Sequence, residues 1–128
     1  MNLPAQIFAL LAALLHTLIF CLESLWFMRP KVYKRFGAST REDAEAKRLF
    51  AFNQGFYNLF LAVGIFAGLA QRHSGGSAVV AQTLVLFSCA CMLCAGVVLL
   101  FSGGRRMLRA ALAQALFPLL AWSAWLWL

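Results

Sequence analysis

Charge is what this 128-residue chain has least of. Asp, Glu, Lys and Arg make up 12% of it against 63% hydrophobic residues, and the mean hydropathy is +0.82. A soluble domain of this size carries more polar surface and shorter apolar runs, so the composition excludes that class and predicts an integral membrane protein. A glycine-rich nucleotide loop, histidines at metal-ligand spacing, a Ser/His/Asp arrangement and internal repeats are all missing. Those absences argue against phosphate-loop chemistry, metal-assisted hydrolysis, triad-type acyl transfer and a solenoid. No cofactor and no metal are expected. Met1-Asn2-Leu3-Pro4 also lacks the basic start of a signal peptide, and the first apolar run is too long for one, so the first span is expected to be retained.

The charge that is present is unbalanced and unevenly placed. Eleven basic against four acidic residues give +7, with an isoelectric point near 9.9. In a soluble chain that excess would suggest nucleic acid. Here the basic residues lie between apolar runs and read as orientation signals and lipid-headgroup contacts, so nucleic acid is excluded and the bilayer is the expected partner. Four runs have the length of a membrane span: 4–28, 49–70, 79–101 and 108–128. The predicted fold is an all-α, integral membrane four-helix bundle, one domain over 1–128. Seven of the eleven basic residues (Arg29, Lys31, Lys34, Arg35, Arg41, Lys47, Arg48) fall between the first two runs, and Arg105, Arg106 and Arg109 between the last two. Both basic connections are therefore predicted to be cytoplasmic and both termini outside, in a multi-pass protein of the inner membrane. Trp122, Trp125 and Trp127 would form the outer aromatic belt.

Polar residues inside the spans are few, and each asks for a partner. Span one carries His16 and Glu23, seven positions apart and so on one face of an α-helix, with Trp26 and Phe27 nearby. Glu23 is the only acid in any span, roughly 9 Å below the cytoplasmic boundary at 1.5 Å per residue. Span two opens with Asn53-Gln54-Gly55-Phe56-Tyr57-Asn58. Asn53 and Tyr57, like Gln54 and Asn58, lie one helical turn apart, so amides and a phenol cover one side of its first turns. Carboxamides in hydrocarbon are costly unless paired, and that side should face a bundle interior or a wet cavity. Gln114 in span four lies at about the same depth. Pro118, four residues on, cannot bond the Gln114 carbonyl and leaves a bare acceptor there.

Other features have plainer readings. Ser39-Thr40-Arg41-Glu42 reads as a capping box opening a long second helix, with Asp43–Lys47 and Glu45–Arg48 as helical charge pairs. Gly64 and Gly68 form a small-xxx-small pattern that favours close helix packing, within or between chains, and a homo-oligomer (trimer or dimer) is expected. Cys89, Cys91 and Cys94 crowd one continuous helix and are poorly placed for a disulfide; packing is the expected role, a Cu(I)-type site with Met92 the other reading weighed.

Together, His16, Phe20, Glu23, Trp26, Phe36-Gly37, the Asn53–Ala62 stretch, Ala95-Gly96, and Gln114 with Pro118 resemble a family of small four-span bacterial membrane proteins catalogued as domain of unknown function 1304. The resemblance implies a four-span fold and no activity. The chain is also faintly similar, at Arg48, Asn53 and Gln54, to the membrane-associated eicosanoid and glutathione metabolism proteins, which implies outward termini and a trimer.

Three functions follow. The first is an intramembrane site near the cytoplasmic side that binds, with or without transport, a small amphipathic or cationic ligand through His16, Glu23, Trp26, Asn53, Gln54, Tyr57, Asn58 and Gln114. The second is a glutathione-dependent or isomerising enzyme in which Arg48 and the Arg105, Arg106, Arg109 group hold an anionic cosubstrate. The third is a structural protein without a ligand.

Overall fold

The computed structural model describes residues 1–128 and contains helices and turns but no strand, as the all-α reading expects. Helix α1 runs Leu3–Phe20 and passes into a π-helical turn, Cys21–Leu25; α2 is Pro30–Arg35, α3 Arg41–His73, and α4 Ala78–Gly103. A 3-10 turn, Gly104–Met107, leads into α5, Leu108–Trp127. Three helical stretches are long and apolar enough to cross a membrane: Leu3–Leu25, Arg41–His73 and Ala78–Trp127. The third, if straight, would extend about 75 Å at 1.5 Å per residue. It folds back instead. Gly104 takes φ +68°, which disfavours any residue with a Cβ, and α4 and α5 lie against one another beyond it. The predicted third and fourth spans fall on these two helices.

Side-chain caps and proline set the other boundaries. Asn2 Oδ1 accepts from Ala5 N at 2.9 Å and starts α1. Arg29, before Pro30, is extended (φ −70°, ψ 130°) because a pre-proline residue disfavours the α conformation, and Pro30 then opens α2. The capping box of α3 lies one residue beyond its predicted place. Thr40 Oγ1 accepts from Asp43 N at 3.1 Å, and Asp43 Oδ2 accepts from Ser39 N at 3.3 Å, so Asp43 fills the role expected of Glu42. Asp43 also pairs with Lys47 at 3.1 Å as predicted, whereas Glu45 pairs with Arg41 at 3.4 Å, four residues back, in place of Arg48. The charged segment is thus the start of α3.

The chain divides into two compact units. One comprises Met1–Leu15 and Leu61–Leu128. Its core joins Ala9, Ala12 and Ala13 of α1, Ala62 and Ile65 of α3, Val85, Cys89 and Met92 of α4, and Ala121 of α5, all fully buried. Small residues let the helices approach closely. A Cβ on Gly68 would meet Val85 Cγ2 at 2.7 Å and Ala81 O at 2.8 Å, and one on Gly64 would overlap Ser88 Oγ. The Gly64–Gly68 pattern is therefore taken up within the chain, against α4. Trp122 Nε1 donates to Leu86 O at 3.1 Å, and Asn2 Nδ2 to Ala124 O at 2.7 Å. Pro118 is buried in this unit, and Cys89, Cys91 and Cys94 differ in environment: buried, half-buried and exposed.

The other unit is His16–Phe60. It has its own small core of Phe27, Tyr33, Ala38 and Ala44, with Met28, Phe36 and Ala51 packed against it. In both units large apolar side chains also point outward, among them Leu14, Leu18, Leu49, Phe50, Phe87 and Phe101, a surface that water would not leave uncovered.

Candidate ligand-binding cleft

The site is built where α1 changes its pitch. Trp26 N donates to Cys21 O at 2.9 Å, an i to i+5 bond that widens the last turn. The predicted span over 4–28 is thus α-helical to Phe20 and π-helical over Cys21–Leu25. The seven-residue spacing of His16 and Glu23 measures a shared face only on an uninterrupted α-helix, and a wider turn begins between them.

Two contacts tie this turn to α3. Ser24 Oγ donates to Phe52 O at 2.7 Å. Directly beneath it, a Cβ on Gly55 would overlap Ser24 Oγ, so glycine at 55 is what admits the turn so close to the helix. One residue earlier, Glu23 is 7% exposed and its Oε1 accepts from Asn58 Nδ2 at 2.9 Å. Asn58, 6% exposed, also donates to Gln54 O at 3.1 Å in its own helix. A buried carboxyl is thus held on one oxygen by a buried carboxamide. Phe20 and Phe56 meet edge to face beside this pair, ring centroids 5.0 Å apart.

Glu23 opens onto a cleft of about 530 Å³, within the usual range of small-molecule sites. Its walls are Glu23, Phe27, Phe36, Lys47, Leu49, Phe50, Ala51, Asn53, Gln54 and Tyr57, all within His16–Phe60. Asn53 Nδ2 donates to Leu49 O at 2.9 Å, leaving its carbonyl oxygen as the group to offer. Tyr57 is 61% exposed. Lys47 Nζ reaches Asp43 Oδ2 at 3.1 Å and Gly37 O at 3.3 Å. The chemistry available is a carboxylate, an ammonium, two amides and a phenol among aromatic and aliphatic walls, suited to binding an amphipathic molecule.

Of the eight residues expected at a site, the cleft takes Glu23, Asn53, Gln54 and Tyr57 into its walls, with Asn58 behind Glu23. His16 is buried but not among the walls. Trp26 instead carries Arg29 over its ring, 5.1 Å from the centroid. Gln114 is half-buried on α5, in the other unit. Sequence reasoning missed Ser24, whose role follows from a glycine 31 positions away, and Lys47 as a wall, because the pairing with Asp43 accounted for it. The first unit holds a separate, apolar cleft of about 380 Å³ among Leu3, Ile7, Leu10, Phe66 and Leu69, where Gln6 Oε1 and His73 Nε2 lie 2.8 Å apart.

Comparison with known proteins finds a family match. The family model described as Protein of unknown function (DUF1304) aligns with residues 10–126. No curated protein and no solved structure matches significantly.

Proposed function

We propose, for a chain that belongs to the DUF1304 protein family, a membrane-embedded binding site for a small amphipathic or cationic ligand. In this reading α1, α3, α4 and α5 form a four-helix bundle that crosses the cytoplasmic membrane. Ten of eleven basic residues, in 29–48 and 105–109, support placing those connections in the cytoplasm and both termini outside. The 33 residues of α3 extend about 50 Å, more than the hydrocarbon core needs, so its charged first turns lie in the cytoplasmic interface. Dimeric or trimeric assembly belongs to the same proposal, through faces other than that of Gly64 and Gly68.

The observation that carries the reading is Glu23 in the wall of the cleft. A carboxylate within a membrane span costs several kcal/mol unless it is paired, and such residues by default mark functional sites. Asn58 satisfies one of its oxygens and fixes its position. A cation in the cleft would complete the pairing, with Tyr57, Phe36 and Phe50 as aromatic walls and the side-chain carbonyls of Asn53 and Gln54 as orienting acceptors. The test is binding of tetraphenylphosphonium to the full chain in nanodiscs, measured by equilibrium dialysis. The parent is expected to bind, and Glu23→Gln, which keeps shape and hydrogen bonding, to bind roughly tenfold or more weakly with its unfolding temperature nearly unchanged. Equal affinity in a folded variant would sink the reading.

A further inference from the structure

The two charged residues that line the cleft have opposite signs, and this narrows the ligand beyond the reading just given, on which the inference rests. Glu23 is buried, while Lys47 lies half-exposed at the cleft, where its ammonium bonds Asp43 Oδ2 and Gly37 O and keeps a third N–H for an anionic group. A plain cation finds its counter-charge in Glu23 and leaves Lys47 unused; a plain anion does the reverse. A molecule carrying an ammonium and an anionic group a few bonds apart satisfies both. The neutral polar walls suit the same pair. The Asn53 carbonyl oxygen accepts from an N–H of a primary ammonium, as the carboxylate does, whereas the Gln54 amide N–H groups and the Tyr57 hydroxyl donate to phosphate oxygens. A quaternary ammonium has no N–H to offer these acceptors.

The remaining walls say where such a molecule comes from. Leu49 and Phe50 line the cleft and yet are 67% and 79% exposed, so the cleft continues onto an outward apolar surface of α3. A water-soluble zwitterion would leave that surface uncovered, while the acyl chains of a lipid would lie along it. We infer that the cleft takes the headgroup of a lipid of the phosphatidylethanolamine class from the adjoining leaflet, its primary ammonium on Glu23 and Asn53 and its phosphate on Lys47, Gln54 and Tyr57.

The test is native mass spectrometry of the full chain released from micelles with phosphatidylethanolamine, phosphatidylcholine and phosphatidylglycerol of matched chains, and with soluble phosphoethanolamine as competitor. Phosphatidylethanolamine is expected to be retained roughly tenfold over the other two lipids, and equimolar phosphoethanolamine to leave it bound. Lys47→Gln should cut that retention about tenfold with the unfolding temperature nearly unchanged, and Lys47→Arg should restore it. Equal retention of phosphatidylglycerol, or no effect of Lys47→Gln, overturns the inference. Displacement by equimolar phosphoethanolamine overturns the lipid as its source. If tetraphenylphosphonium binds through Glu23 but phosphatidylethanolamine is not preferred, only this inference falls. If the parent binds neither, the cleft itself is not a ligand site.

Discussion

The two units of this protein spend their burial differently. In the unit of Met1–Leu15 and Leu61–Leu128 the shared core is alanine, isoleucine, valine, cysteine and methionine, closed by glycines that permit near contact between α3 and α4. Nothing in that core needs a partner other than shape. In the unit of His16–Phe60 a buried carboxyl pairs with a buried carboxamide, the carboxyl lies in a turn where α1 changes pitch, and a cleft adjoins it. Burying polar groups gains less than burying apolar ones and costs more when a bond is lost. The first unit reads as the part that holds the fold, and the second as the part in which stability is sacrificed for a site.

That contrast can be broken by substitution. The largest effect is expected in the first unit. Met92→Ala deletes a fully buried side chain from a core drawn from four helices and should cost about 2–5 kcal/mol, read as a lowered unfolding temperature in detergent. Tetraphenylphosphonium affinity of the protein that remains folded should not change. In the second unit Asn58→Ala leaves the buried Glu23 without its donor and should cost about 1–3 kcal/mol while also weakening ligand binding. A stability loss without any change in binding would argue that the polar pair is packing alone.

A smaller effect sharpens the role of the π-turn. Gly55→Ala should destabilise by about 1–3 kcal/mol because its methyl group collides with Ser24 Oγ, and Ser24→Gly in the same chain should recover much of that loss. A double-mutant cycle without coupling would mean the two positions do not meet as described. Thr40→Ala removes the cap of α3 and should cost about 1 kcal/mol. Smallest of all, breaking the exposed Arg41–Glu45 pair with Glu45→Gln should shift stability by roughly 0–0.5 kcal/mol.

Much of the fold was legible because it rests on local signals. Apolar run length located the long helices, and Ser39–Glu42 marked the start of α3 to within a residue, since a cap bonds only within its own turn. The polar stretch from Asn53 to Asn58 was legible as a place that needs partners for the same reason: amides in an apolar run have to be answered by something, and Asn58 is answered by Glu23. What the sequence did not disclose depends on contacts between distant segments. The π-turn exists in a frame set by Ser24, Phe52 and Gly55, and no feature of Cys21–Leu25 alone announces it. His16 and Glu23 were placed on one face by assuming a pitch that the helix does not keep. The Gly64–Gly68 pattern announced close packing, but which surface would fill it required the position of α4. Lys47 has two neighbours, Asp43 along its own helix and the cleft across from it, and only the first could be read from spacing.

The central claim is that Glu23 faces a ligand-accessible cleft rather than a sealed core, and chemical labelling of that one carboxyl addresses it most directly. The full chain in nanodiscs would be treated with a hydrophobic carbodiimide, with and without saturating tetraphenylphosphonium, and the adduct located by peptide mass spectrometry. The account predicts an adduct on Glu23 that diminishes as the cation is added, while any label on the exposed Glu42 and Glu45 stays constant. Absence of label on Glu23, or label indifferent to the cation, would contradict it.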